Sequence, residues 1–166
     1  VLSWPGHVDR AGEVRDAWTH VIDIAPTLYE IVGIQPQQVV DGVEQMSIDG
    51  ISFAATLRGA VPDAPRTQYF NVYDNRGIYS NGWMASARHH TPWLLHEADK
   101  SLDSDRWELY DLRNDFSQAI DLAARHPEKL RELQTLYERE AARNGVVSLS
   151  AMTMNASLMS IQPSLA

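Results

Sequence analysis

A mixed α/β fold is expected of this chain, and three observations predict it. The first sixty residues alternate short apolar strand-like pieces with short helical ones. A run of β-rich segments separated by turn residues follows, and then one long stretch with helical periodicity from Pro127 to Arg143. The expected architecture is the last part of a mixed α/β layer, joined to a small antiparallel sheet packed by a long helix, with α+β character in that second half. The boundaries read as 1–60, 66–145 and a poorly structured tail at 146–166.

Val1 to Val8 (VLSWPGHV) begins without Met, directly in an apolar stretch, and is expected to be a strand whose partners lie in polypeptide not included here. Asp23 to Gly33 predicts a helix. Asp23 is placed to cap its free N–H groups, Pro26 is tolerated in the first turn, Gly33 supplies a left-handed end, and Leu28, Ile31 and Val32 share one face. A second helix is expected over Ser52–Arg58, stopped by Gly59, with Phe53 and Leu57 four apart on its buried side.

Pro62 to Arg66 has linker composition. Strands are expected at Gln68–Tyr73, Arg76–Tyr79, Trp83–Ala87 and Trp107–Leu112, and Asn81-Gly82 is the strongest hairpin signal in the chain. Leu130, Leu133, Tyr137 and Ala141 give the long helix an apolar face to cover that sheet, and Asn144-Gly145 ends it. Its Glu, Lys and Arg residues read as a solvated face with intrahelical pairs.

Composition narrows the function. The chain has 166 residues, 44% apolar and 22% charged, with 14 basic against 22 acidic residues and a formal charge of −8. No block of like charges marks a nucleic-acid or anionic-membrane surface, so neither nucleic acid nor a membrane span is expected. Cysteine is absent, which removes disulfides, thiolate nucleophiles and zinc–sulfur sites and leaves periplasmic and cytoplasmic locations equally open. The phosphate-cradle, nucleophile-elbow and zincin motifs are also absent. His89-His90 cannot jointly hold one metal as strand neighbours without help from elsewhere, since their side chains point to opposite faces, and both read as surface or rim residues. Asp111 and Asp115 read as turn formers. No catalytic and no metal-binding residue is assigned.

Several motifs stand in a telling order: Trp4-Pro5-Gly6, then His20 through Ile34 with its DI-x-PT core, then Asp49-Gly50-Ile51-Ser52-Phe53. Downstream come Gln68-Tyr69-Phe70, Asn75 to Tyr79, Gly82-Trp83, Pro92-Trp93, Trp107 to Leu112, Asp115 to Ala119, and Pro127 to Leu130. This ordered set, over about residues 1–147, resembles the C-terminal portion of the sulfatase family, in its arylsulfatase branch within the alkaline-phosphatase-like superfamily.

The resemblance implies that residues 1–60 end a sulfatase α/β domain. It implies a parent enzyme that hydrolyses small-molecule sulfate esters, using a formylglycine nucleophile and a Ca2+ or Mg2+ ion, all supplied by an N-terminal catalytic half. It implies no cofactor in this segment, which would act as structure and substrate rim. Ser3-Trp4-Pro5-Gly6-His7 imitates the family's C/S-x-P-x-R segment, but His7 replaces the Arg, so Ser3 is read as a decoy. Tyr73, Asn75, Arg76 and His89 are the rim candidates, Arg76 attracting an anionic ester or else pairing with Asp74 or Asp111. Alternatives are a phosphodiesterase or phosphonate hydrolase of the same superfamily, or a stand-alone binding module that is not catalytic.

Overall fold

The computed structural model describes residues 1–10, 12–60, 65–91 and 101–148. Part of the linker reading (62–64), the Pro92-Trp93 motif and most of the tail (149–166) lie outside the described residues. The chain mixes helices with antiparallel sheet and divides into two compact units, Val1–Ala64 and Pro65–Ala166. Among the described residues no helix is long and apolar enough to cross a membrane.

In the first unit the expected strand at Val1–Val8 does not form. Val1 and Leu2 are exposed, and no neighbouring strand takes up their backbone groups among the described residues. The WPG motif makes a type II turn instead. Pro5 presets the first central position, Gly6 supplies the positive φ of 79° that the second demands, and the His7 N–H donates to the Trp4 carbonyl at 3.1 Å.

A short 3-10 turn, Val21–Asp23, leads into α1, Ile24–Val32. Gly33 closes α1 in the left-handed region at φ 70°, with Ile34 N–H reaching back to the Tyr29 carbonyl at 3.0 Å. The face predicted from Leu28 and Val32 is solvent-exposed within this unit. A hairpin of two-residue strands, β1 Val39–Val40 and β2 Val43–Glu44, turns through Asp41-Gly42, a signal not picked out in the sequence. The second helix, α2, is shorter than expected, Ala54–Leu57, with Gly59 at φ 82° beyond it and Leu57 buried.

The second unit is a four-stranded antiparallel meander in the order β3 (Thr67–Val72), β4 (Asn75–Ser80), β5 (Trp83–Ala87), β6 (Trp107–Asp111). Asn81 and Gly82, at φ 49° and 87°, make the predicted β4–β5 hairpin. The β3–β4 turn uses Tyr73 and Asp74, at φ 52° and 62°, without any glycine.

The register places Tyr69, Ile78, Ala85 and Leu109 in one row across the sheet. Ile78, Ala85 and Leu109 are wholly buried there, and α3, Pro127–Arg143, covers them with Leu133 and Tyr137. Each fully buried Ile or Leu contributes about 1.5–3 kcal/mol by leaving water. Asn71 Nδ2 donates to the Tyr137 hydroxyl at 3.0 Å, so the one polar atom at that contact is satisfied. Burial, with the hydroxyl's own bond to Glu108 second, pushes Tyr110 up to about 12.

Candidate functional site

Two polar constructions stand out, one in each unit. In the first, the DI-x-PT and DG-x-S motifs form a clasp. Asp23 was expected to cap α1, but its carboxylate makes no cap bond there. One oxygen accepts the His20 N–H at 2.7 Å and the other the Ile51 N–H at 2.8 Å, so it closes the preceding turn and holds an irregular segment 28 residues away.

Thr27 repeats the pattern, its hydroxyl donating to the Asp23 carbonyl at 2.6 Å and accepting the Phe53 N–H at 3.0 Å. Both side chains are only 2% exposed. Gly50 is obligatory at this crossing, since a Cβ would meet the Ile22 carbonyl oxygen at 2.1 Å.

In the second unit three of the four rim candidates converge at one end of the sheet. Arg76 on β4 lies opposite Ala87 on β5, which lies opposite Trp107 on β6, so Arg76 and Trp107 occupy the same row. The guanidinium accordingly sits over the Trp107 ring, 5.2 Å from its centroid. It donates to Asp105, two residues before Trp107, at 2.8 Å, and to the Leu102 carbonyl at 2.9 Å.

The expected partners of Arg76 were Asp74 or Asp111. Asp74 instead accepts the Ser148 hydroxyl at 2.9 Å, and Asp111, opposite Trp83 at the far end of the strands, is held by Arg113 at 2.7 Å. The Arg113 bond, together with Asn114, keeps Asp111 below the usual carboxylate range.

His89 is 4% exposed, which corrects its reading as a surface or rim residue. Its Nδ1 lies 3.0 Å from Asp105 Oδ2, and its backbone N–H donates to Asn75 Oδ1 at 2.9 Å. Asp105 is a carboxylate acceptor in this pair, so Nδ1 is the donor of the bond between them. Nε2 is buried and has no hydrogen-bond partner among the described residues.

Arg76 and His89 therefore share the Asp105 carboxylate, which has no exposed side-chain surface, and Asn75 holds the His89 backbone beside it. Tyr73 stands apart at the tip of the turn, 55% exposed. Asp105 was missed in the sequence because nothing in Ser-Leu-Asp-Ser-Asp-Arg is periodic; its offset of two from Trp107 was the available signal.

Chemically the cluster is a hydrogen-bonded brace. It joins a base-like imidazole to a carboxylate, but no hydroxyl lies within hydrogen-bonding distance of Nε2 to serve as a nucleophile among the described residues. Among those residues, too, no group of three or more His, Asp or Glu side chains is arranged to hold a metal ion. None of the four rim candidates lines the cleft found in the first unit.

No family model matches the chain. Among solved structures it is similar to BT33336S-sulf, from a study of the metabolism of multiple glycosaminoglycans by Bacteroides thetaiotaomicron, at 23% identity and a TM-score of 0.47. It is also similar to BT4656 in complex with its substrate D-glucosamine-2-N,6-O-disulfate, at 20% identity and a TM-score of 0.46. Each alignment covers 72% of this chain, which spans 24% and 23% of those chains respectively. Likenesses of this size carry no inference about activity.

Proposed function

We propose that this chain is the C-terminal portion of a sulfatase of the arylsulfatase branch, whose full-length parent hydrolyses sulfate esters. The reading rests on the ordered motif set, and one observation carries it. The DI-x-PT and DG-x-S motifs, apart in sequence, are a single hydrogen-bonded unit through Asp23 with Ile51 and Thr27 with Phe53. That pairing supports reading the two motifs as one fold element.

Cleavage of a sulfate ester needs an oxygen nucleophile, a hard cation on the non-bridging oxygens and a proton donor for the leaving alcohol. In this proposal the formylglycine and the Ca2+ or Mg2+ ion belong to an N-terminal catalytic half that also covers Ile24, Leu28 and Val32. The present segment supplies framework and rim. Tyr73 is its exposed rim residue, while Asn75, Arg76 and His89 brace the turn that carries it.

The test is recovery of the longer reading frame. A C/S-x-P-x-R segment upstream, with turnover of nitrophenyl sulfate by the full-length protein, is the expected result. Turnover of a phosphodiester or phosphonate but no sulfate ester would overturn the assignment. This chain alone is expected to leave nitrophenyl sulfate intact with or without added calcium, and turnover abolished by changing Ser3 would refute its structural role.

A further inference from the structure

We propose that the cleft of the first unit binds a small oxyanion through Arg15 and Arg10. This goes beyond the reading above and does not depend on it. The cleft, about 480 Å3, is lined by Arg10, Glu13, Arg15, Asp16, Trp18 and Thr56 among others.

The two arginines are held differently. Arg10 pairs with Glu13 at 2.9 Å and remains 64% exposed, its other guanidinium nitrogen lying over Gly59, where a Cβ would come within 3.5 Å of it. Arg15 has no carboxylate partner among the described residues. Its Nη2 donates to the Asp9 carbonyl, and Asp9 N–H in turn donates to the Leu57 carbonyl at 2.9 Å, so the guanidinium is anchored to the backbone beside α2.

A carbonyl fixes a guanidinium in place without cancelling its charge. Nη1 is buried and has no acceptor among the described residues. Buried donors are almost always satisfied, and one that is not marks an acceptor still to be supplied, by solvent or by a ligand. An oxyanion fits better than water, because its several oxygens can take hydrogen bonds from Arg15 and Arg10 together and its charge answers the unpaired guanidinium.

Glu13 and Asp16 bring the formal charge of the lining to zero against the two arginines. Recognition therefore comes from donor geometry rather than a long-range field, and the expected affinity is millimolar. Trp18 gives the cleft an apolar surface for the body of an organic anion.

The experiment is an NMR titration of the isotope-labelled chain with sodium sulfate, inorganic phosphate and sodium acetate, each against sodium chloride at matched ionic strength. The Arg Nε–H and Gly59 amide signals are followed. Saturable shifts confined to Arg10, Arg15 and Gly59 are expected, weakened about tenfold or more in Arg15→Gln and unchanged in Arg139→Gln on α3, where the side chain is 71% exposed.

Preference for sulfate and phosphate over acetate identifies a tetrahedral ligand, and the reverse a carboxylate; either supports the site. No saturable shift with any of the three, equal binding by Arg15→Gln, or shifts spread over all arginines would leave the buried nitrogen to water and overturn the proposal. If Arg15→Gln fails to fold, Arg10→Gln decides, since undiminished binding by that exposed-site variant removes the second donor from the argument and overturns it.

Discussion

In the second unit Ile78, Ala85, Leu109 and Leu133 have no exposed surface, whereas among the described residues of the first unit the buried set is Asp23, Thr27 and Thr56, with Leu57 the one large apolar side chain among them. The first unit meanwhile leaves Ile24, Leu28, Val32, Val43 and Met46 exposed. The contrast shows two ways of holding a chain. A row of apolar residues under a helix accumulates stabilisation with every methylene, while a polar clasp depends on a few hydrogen bonds of about 1 kcal/mol net each. The second unit is expected to carry most of the stability, and the first to owe its shape to Asp23 and Thr27.

That contrast can be tested from its strongest point downward. Asp105→Ala leaves the half-buried Arg76 guanidinium and the buried His89 imidazole without their shared carboxylate. It should cost about 3–5 kcal/mol in urea unfolding followed by the far-UV signal of the sheet. Leu133→Ala opens a cavity beneath α3 and should cost about 2–5 kcal/mol in the same measurement.

Asp23→Ala should cost less, about 1–3 kcal/mol, and appear as faster amide exchange at His20 and Ile51. A loss as large as that of Leu133→Ala would break the comparison by making the clasp equal to the core.

The smallest effect is acid sensitivity of the turn after β6. Backbone hydrogen bonds from Ile120 and then Ala119 hold Asp115 below the usual carboxylate range. A depressed folded pKa means its contribution is present above the ordinary value of about 3.9 and fades as pH falls through the lower folded value. Exchange of the Ile120 amide should accelerate only in that acid window, and acceleration already at neutral pH would contradict the bond.

Much of the second unit was readable in advance, because its cues are local. Asn81-Gly82 selects a two-residue hairpin by allowing positive φ at both positions, and the spacing of Leu130, Leu133 and Tyr137 defines one face of α3 before any partner is known. The Tyr73-Asp74 turn was not readable, since neither residue carries a glycine's freedom and only the closure of β3 on β4 holds them at positive φ.

The candidate site was half readable. Asn75, Arg76 and His89 could be singled out, but their common partner Asp105 lies 29 residues from Arg76 and 16 from His89. Asp23 shows the same failure from the other side. Its local role as a helix cap was the natural expectation, and a backbone N–H 28 residues away claimed the carboxylate instead.

By itself the sequence determined the Asn81-Gly82 hairpin, the extent of α3 and the apolar face that α3 carries, because those depend on the φ/ψ preferences and side-chain periods of neighbouring residues. Only the tertiary structure decided which charges pair and which imidazole is buried. Those outcomes depend on strand register and loop closure, which bring together groups whose separation along the chain carries no local signal.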